Sequence, residues 1–366
     1  MLSVTCRFAR FMLLATTVAV ATLAAPASAS GTGSPARACA QLLHTSPARC
    51  AQLLRTPQRT HTSWMSPAAA SSDELAYDSE PLNNVVNVVG VSKTGLSAVG
   101  QIALKTNSFP IGMTVVSGRN LFVAITAFLG PPAVPSGEEF PQGATQPSTT
   151  YTAGLSAPFD VAVDRKGTLY VADVINLSSG CMQAPYEGQV VEYAKGKTQP
   201  KATIHDFDGC IGGIAIDRHG NLYLSYYYYP ASGTVVSDVR EYSPGSTKGQ
   251  ELNLQVPNGP LLGGIQFDAK NDLLVENTQA DGTLYQILTY PQGQTSPSAT
   301  LQYGSLDGWD SSHFALHGSQ LFAPAYVALN FGSVLAQIDY PSGTEAFALS
   351  PAQAAPTVVF GFAVTQ

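Results

Sequence analysis

Along much of the chain, apolar residues alternate with small or polar ones in short runs, and the runs recur in a fixed order. The first recurring unit is an apolar segment, a tight polar turn and a second apolar segment. It reads FDVAVDRKGTLYVAD over Phe159–Asp173 and GIAIDRHGNLYLS over Gly213–Ser225. Weaker copies are Gly264–Val275, Ile111–Val123 and His313–Phe322. Alternation with a period of two predicts strands, and the D-x-x-G element between them predicts a hairpin turn. The second unit places an aromatic before a glycine-containing turn and another strand: Glu139–Pro147, Glu192–Pro200, Glu241–Gly245, Thr289–Gly293 and Asp339–Gly343. One unit of each kind makes a four-stranded antiparallel meander.

Spacing decides how the meanders assemble. The turn marks fall at Ser117, Asp164, Asp217, Asp268 and His317, which are 47, 53, 51 and 49 residues apart. A four-strand unit repeated at this interval predicts propeller blades, because helical solenoids would carry a 3.6-residue period instead. Five full units are visible, and the chain ends supply a sixth. Val358–Val364 matches a first strand with no partner after it, and Val85–Gly95 matches a second element with no first strand before it. The predicted fold is therefore all-β: a six-bladed β-propeller of four-stranded antiparallel blades, closed by a composite N-/C-terminal blade. Closure of this kind removes open sheet edges.

The strings AVDRKGTLYVAD and AIDRHGNLYLS resemble the NHL-repeat group of six-bladed propellers, over roughly residues 83–366. Gluconolactonase-like propellers are more distant relatives by this resemblance. The architecture hosts binding modules, lactonases, lyases and scaffolds alike, so it does not assign an activity.

Composition and charge refine the picture at the N-terminus. Arg7 and Arg10 precede an uncharged apolar stretch from Phe11 to Ala25, and Ala27-Ser28-Ala29 offers a small-x-small cleavage pattern. Residues 1–29 thus read as a signal peptide, implying a secreted or periplasmic protein with no transmembrane segment. Its removal takes the net charge from −7 to −9. Residues 30–72 form a basic Ala/Ser/Pro-rich arm or linker, with Arg37, Arg49, Arg55 and Arg59 and no acid, so the body from 73 to 366 stands at −13. An acidic body argues against nucleic acid as a partner. The arm repeats Cys-Ala-Gln-Leu-Leu at Cys39 and Cys50. It reads either as a flexible export linker or as a short helical hairpin closed by Cys39–Cys50.

Four cysteines survive cleavage: Cys39, Cys50, Cys181 and Cys210. An even number in an exported chain predicts disulfides, with three connectivities open. Cys181 and Cys210 are expected to pair, since both fall in connections on one face of the propeller.

No catalytic motif is present: there is no G-x-S-x-G, H-E-x-x-H, strand-to-helix G-x-G-x-x-G or C-x-x-C-H. The turn residues Asp164, Asp217 and Asp268 are expected to bind their own backbone. Tyr242, Tyr290 and Tyr340 are expected to pack between sheets. Of the histidines, His205 and His313 stay available as site residues.

Connections entering the first strand, and those joining second to third, share one face around the central channel. The ligand-binding candidates there are Asp160, Asp173, Asn176, Glu276, Asn277 and Asp310, with Tyr226 and Trp309 as ring contacts. Carboxylates and amides together suit calcium, which takes six to eight oxygen ligands. The expected function is a monomeric, non-enzymatic exported binding module for a protein, glycan or small ligand. The rival is a calcium-dependent lactonase or related hydrolase using Asp160, Asn176, Glu276 and Asp310.

Overall fold

The computed structural model describes residues 61–71, 74–116, 119–127, 132–175, 188–207, 209–228, 235–257, 261–278, 285–302, 313–327, 332–348 and 361–365. The proposed signal peptide, Cys39 and Cys50 of the arm, and Cys181 lie outside these residues.

The strands form six antiparallel sheets arranged as the blades of a propeller. Blade 1 runs β5 (Phe109–Val115), β6 (Leu121–Thr126), β7 (Ser136–Phe140) and β8 (Thr149–Tyr151). Blade 2 runs β9 (Pro158–Val163), β10 (Leu169–Val174), β11 (Gly188–Tyr193) and β12 (Ala202–Ile204). Blade 3 runs β13 (Cys210–Ile216), β14 (Leu222–Tyr228), β15 (Val236–Tyr242) and β16 (Gln250–Glu251). Blade 4 runs β17 (Leu261–Phe267), β18 (Leu273–Thr278), β19 (Tyr285–Tyr290) and β20 (Ala299–Gln302). Blade 5 runs β21 (Ala315–His317), β22 (Gln320–Val327), β23 (Gly332–Asp339) and β24 (Thr344–Ala348).

The closing blade is composite, as the unmatched terminal motifs require. Its inner strand is β25 (Phe362–Val364), which pairs with β2 (Leu75–Glu80), followed by β3 (Val85–Ser92) and β4 (Gly95–Ala103). Thr365 seals the seam: its N–H donates to Leu75 O at 2.9 Å, and its hydroxyl accepts the Leu75 N–H at 2.8 Å. A fifth strand, β1 (Trp64–Met65), pairs with β4 on the outside and leads into the short helix α1 (Pro67–Ser71). The folded sheet thus includes residues upstream of position 73. Gln142 of blade 1 holds this segment by donating to Ala69 O at 2.9 Å.

The core lies between blades. Val161, Leu169 and Val171 of blade 2 meet Phe122, Ala124 and Tyr151 of blade 1, while Ala162, Tyr170 and Ala172 face blade 3. The same partition continues around the ring to Ala76, Phe362 and Val364, which pack on Ala315 and Phe322 of blade 5. Alternation along each strand therefore serves two apolar layers, one on each face, which is why the blades read as nearly continuous apolar runs. The recurring aromatics complete these layers. Tyr193, Tyr242 and Tyr290 are buried, and Tyr290 donates to Gln255 O at 3.0 Å.

The first-hairpin turns are built as their sequences require. Asp164 Oδ1 accepts the N–H groups of Lys166 and Thr168, both at 2.8 Å. Asp217 Oδ1 does the same for His219 and Asn221, and Asp268 Oδ1 for Lys270 and Asp272. Gly167 and Gly220 then take the left-handed conformation that closes each bend.

Candidate functional site

The inner strands β5, β9, β13, β17, β21 and β25 surround the central channel, and one layer across them determines its shape. At that layer stand Gly112, Asp160, Gly213, Gly264, His313 and Gly361. Glycine lets the backbones close in. A Cβ on Gly112 would run into the Asp160 carboxylate and its Cα, and one on Gly213 would lie 2.8 Å from Gly264 Cα. Register shifts in blades 1 to 4 fall at or beside this layer, so the strands bend where the channel narrows.

The two non-glycine residues at this layer come from blades 2 and 5, which are three blades apart in either direction and hence opposite. His313 Nε2 stands 3.3 Å from Asp160 Oδ2. The imidazole also meets the Phe159 ring at 5.6 Å between centroids. Asp160 is a shared acceptor as well: Oδ2 takes the Ile214 N–H of the adjacent inner strand and Oδ1 the Val161 N–H, both at 2.8 Å. Both residues are buried, at 4% and 5% exposure. One carboxylate thus ties three blades together at the channel axis.

Below this layer, on the side of the first-hairpin turns, the channel widens into a cavity of about 680 Å³. Asp160 and His313 lie at its inner end. Val161, Val163, Ile214, Ile216, Phe267 and Leu316 contribute to its walls, but the surface it exposes is more polar than apolar, because these side chains pack mainly between blades. Gln266 stitches the wall between blades 4 and 5, donating to Phe314 O at 2.7 Å and accepting the Leu316 N–H at 2.9 Å. At the mouth lie Asp164, Arg165, Asp217, Arg218, Asp268, Asn271 and His317. A volume of this size falls in the range of small-molecule sites.

The other residues singled out from the sequence occupy different places. Asp173 is fully buried near the end of β10, where its carboxylate accepts the Ser156 and Ala157 N–H groups and the Gln189 side-chain amide at 2.7–3.1 Å. Burial pushes its pKa up, against the lowering pull of those hydrogen bonds. It pins the segment entering blade 2. Tyr226 is buried between blades 2 and 3, its hydroxyl donating to Glu251 Oε2 at 2.7 Å and its ring 6.4 Å from Phe207. Burial pushes this phenol up, reinforced by the Glu251 carboxylate.

Glu276 and Asn277 are fully buried neighbours on β18. The Glu276 carboxyl lies over Gly263, where a Cβ would come within 2.9 Å of Oε2. Asn277 donates to Pro257 O at 3.2 Å, and Gln286 reaches the same carbonyl at 3.4 Å. Asn277 Oδ1 has no hydrogen-bond partner among the described residues. Asn176, Trp309 and Asp310 lie outside those residues, together with most of the connections on the face where the sequence placed a site. Of the described candidates, Asp160 lines the cavity on the first-hairpin-turn face. Among the described residues no group of three or more His, Cys, Asp or Glu is poised for a metal ion, and no helix is long and apolar enough to cross a membrane.

Sequence reasoning retained His313 as a free candidate but did not pair it with Asp160. The signal was present in the repeat alignment, where a charged residue and an imidazole interrupt positions otherwise held by glycine.

No family model and no curated protein matches the chain. Solved structures do match it in shape. A protein of unknown function from Bacteroides caccae is 12% identical, with a TM-score of 0.56 over 80% of this chain and 99% of that one. Hydrazine synthase from Kuenenia stuttgartiensis is 15% identical, with a TM-score of 0.48 over 76% of this chain and 75% of that one. The likeness is one of fold alone.

Proposed function

We propose that this chain is an exported, non-enzymatic binding propeller that takes a small ligand, or the end of a larger one, in the channel mouth on its first-hairpin-turn face. The observation that carries the reading is the 680 Å³ cavity, lined by both polar and apolar groups and floored by the buried Asp160–His313 pair. A preformed recess of this volume with convergent polar groups is a usual form of a binding site. Export is supported by the charged, apolar and small-residue order of residues 1–29. Kinship with NHL-repeat propellers is supported by the two D-R-x-G hairpin motifs.

The roles of the buried carboxylates favour binding over metal-assisted hydrolysis. Asp160 and Asp173 spend their oxygens on backbone and side-chain N–H groups that hold blades and entry loops in place. Calcium and lactone hydrolysis are therefore the outcomes that would displace this reading.

The test is a fluorescence titration of the mature protein with the neutral apolar dye N-phenyl-1-naphthylamine, alongside metal analysis. Saturable one-site uptake, abolished by Thr114→Trp at the cavity wall with the melting temperature unchanged, is expected. Absence of saturable uptake by the parent protein would overturn the proposal. A stoichiometric divalent ion accompanied by lactone turnover would replace it with the hydrolase.

A further inference from the structure

We infer that the ligand of this mouth is an organic anion, its body in the channel and its acidic head against Arg165 and Arg218. The inference rests on the binding reading above and adds the chemical class. It starts from a charge distribution that the chain as a whole does not predict, since its net charge is −7.

Arg165 and Arg218 occupy the same position in the first-hairpin turns of neighbouring blades 2 and 3, and both line the cavity. Both side chains are exposed, and no described carboxylate forms a salt bridge with either. Lys166 stands beside Arg165 and Lys270 in the corresponding turn of blade 4, both exposed. Lys195, Lys197 and Lys248 sit in the outer turns of blades 2 and 3, on the same face.

Glu74 stands beside the mouth as the partner of His317, at 3.1 Å, and the acids that line it are Asp164, Asp217 and Asp268, which are engaged elsewhere. Each carboxylate accepts two backbone N–H groups of its own turn at 2.8–2.9 Å, which fixes it in place and partly offsets its charge. Among the described residues the arginine side chains have no such tether, apart from the Arg218 Nε contact to its neighbour His219 at 3.3 Å. A flexible guanidinium is suited to carboxylate, sulfonate or phosphate by its planar fork of donors. Deeper in, the cavity has room for an organic body beyond the acidic head and offers it both polar and apolar surface. The two halves of the site therefore select together for an anion attached to an organic body.

Two dyes of similar size separate the two claims: anionic 8-anilinonaphthalene-1-sulfonate and neutral N-phenyl-1-naphthylamine. The inference predicts that the sulfonate binds the parent protein more tightly, and that added salt weakens only the sulfonate. The double variant Arg165→Glu/Arg218→Glu should weaken the sulfonate about tenfold, the scale of two exposed charge contacts turned repulsive, and change the neutral dye less than about twofold. Both positions are exposed, so circular dichroism and melting should be unchanged in that variant. Equal binding of both dyes, indifferent to the charge reversal, overturns the anion inference while leaving the cavity reading intact. Sulfonate binding that survives Thr114→Trp lies elsewhere and overturns it too. Failure of both dyes to bind removes the binding reading itself.

Discussion

Replacing Asp160 by Ala should destabilise the propeller well beyond the typical point mutation. The carboxylate accepts two buried backbone N–H groups, from Val161 and Ile214, and faces His313 across the channel. Removing it leaves two buried donors without acceptors, at about 1–3 kcal/mol each. Together the two donors put the loss at about 2–6 kcal/mol. Packing contributes little, since four of the six residues in the layer are glycine and the substitution removes atoms rather than adding them. We expect a loss of about 2–6 kcal/mol for Asp160→Ala and a smaller loss for Asp160→Asn, whose amide oxygen can still accept a backbone N–H. In urea unfolding, with a slope of roughly 3 kcal/mol/M, the midpoint should fall by about 1 M or somewhat more for the alanine variant. A change below about 0.5 kcal/mol would refute the claim that this carboxylate holds the inner strands together.

Three further outcomes follow from other parts of the fold. Deleting residues 357–366 removes β25 and the buried Phe362 and Val364, so the parent melting transition should be lost or moved far down; a truncated protein that melts like the parent contradicts closure by the C-terminal strand. Burial pushes Asp78 up to about 8, helped by Glu80 and opposed by the hydrogen bond from Asn87. Its folded pKa thus lies above the unfolded value, so its contribution favours folding most below about pH 4 and is lost as pH rises towards about 8. Asp78→Asn should gain stability over the parent across that window, and parallel pH profiles for the two proteins would count against it. Cys181 and Cys210 are proposed to be bonded, contributing roughly 3–4 kcal/mol by loop closure. Non-reducing peptide mapping should recover the linked pair, and two alkylatable thiols would end the proposal.

The blades were legible because a propeller repeats its local chemistry. Each Asp-x-x-Gly turn folds on its own backbone hydrogen bonds, as Asp164 and Asp217 do, so sequence spacing converts directly into strand spacing. The composite blade was legible for the same reason, as a first strand at one end and its missing continuation at the other. The site was not local in this sense. Asp160 and His313 meet only because their blades are opposite in a six-membered ring, and neither residue's neighbours announce the other. Asp173, Asn277 and Tyr226 looked like site residues because polar or phenolic groups near strand ends often are. Here they hold segments within or beside their own blades: the Ser156–Ala157 entry, Pro257 and Glu251. The cavity on the first-hairpin-turn face depends on how far the inner strands splay below the glycine layer, which no single repeat encodes.

The most direct test of the central claim is a crystal structure of the mature protein bound to 8-anilinonaphthalene-1-sulfonate. The account predicts density in the mouth of the channel, with the naphthalene rings among Val163, Ile216 and Phe267 and the sulfonate within hydrogen-bonding reach of Arg165 or Arg218. Density confined to the opposite face, or to a groove between blades, would contradict it.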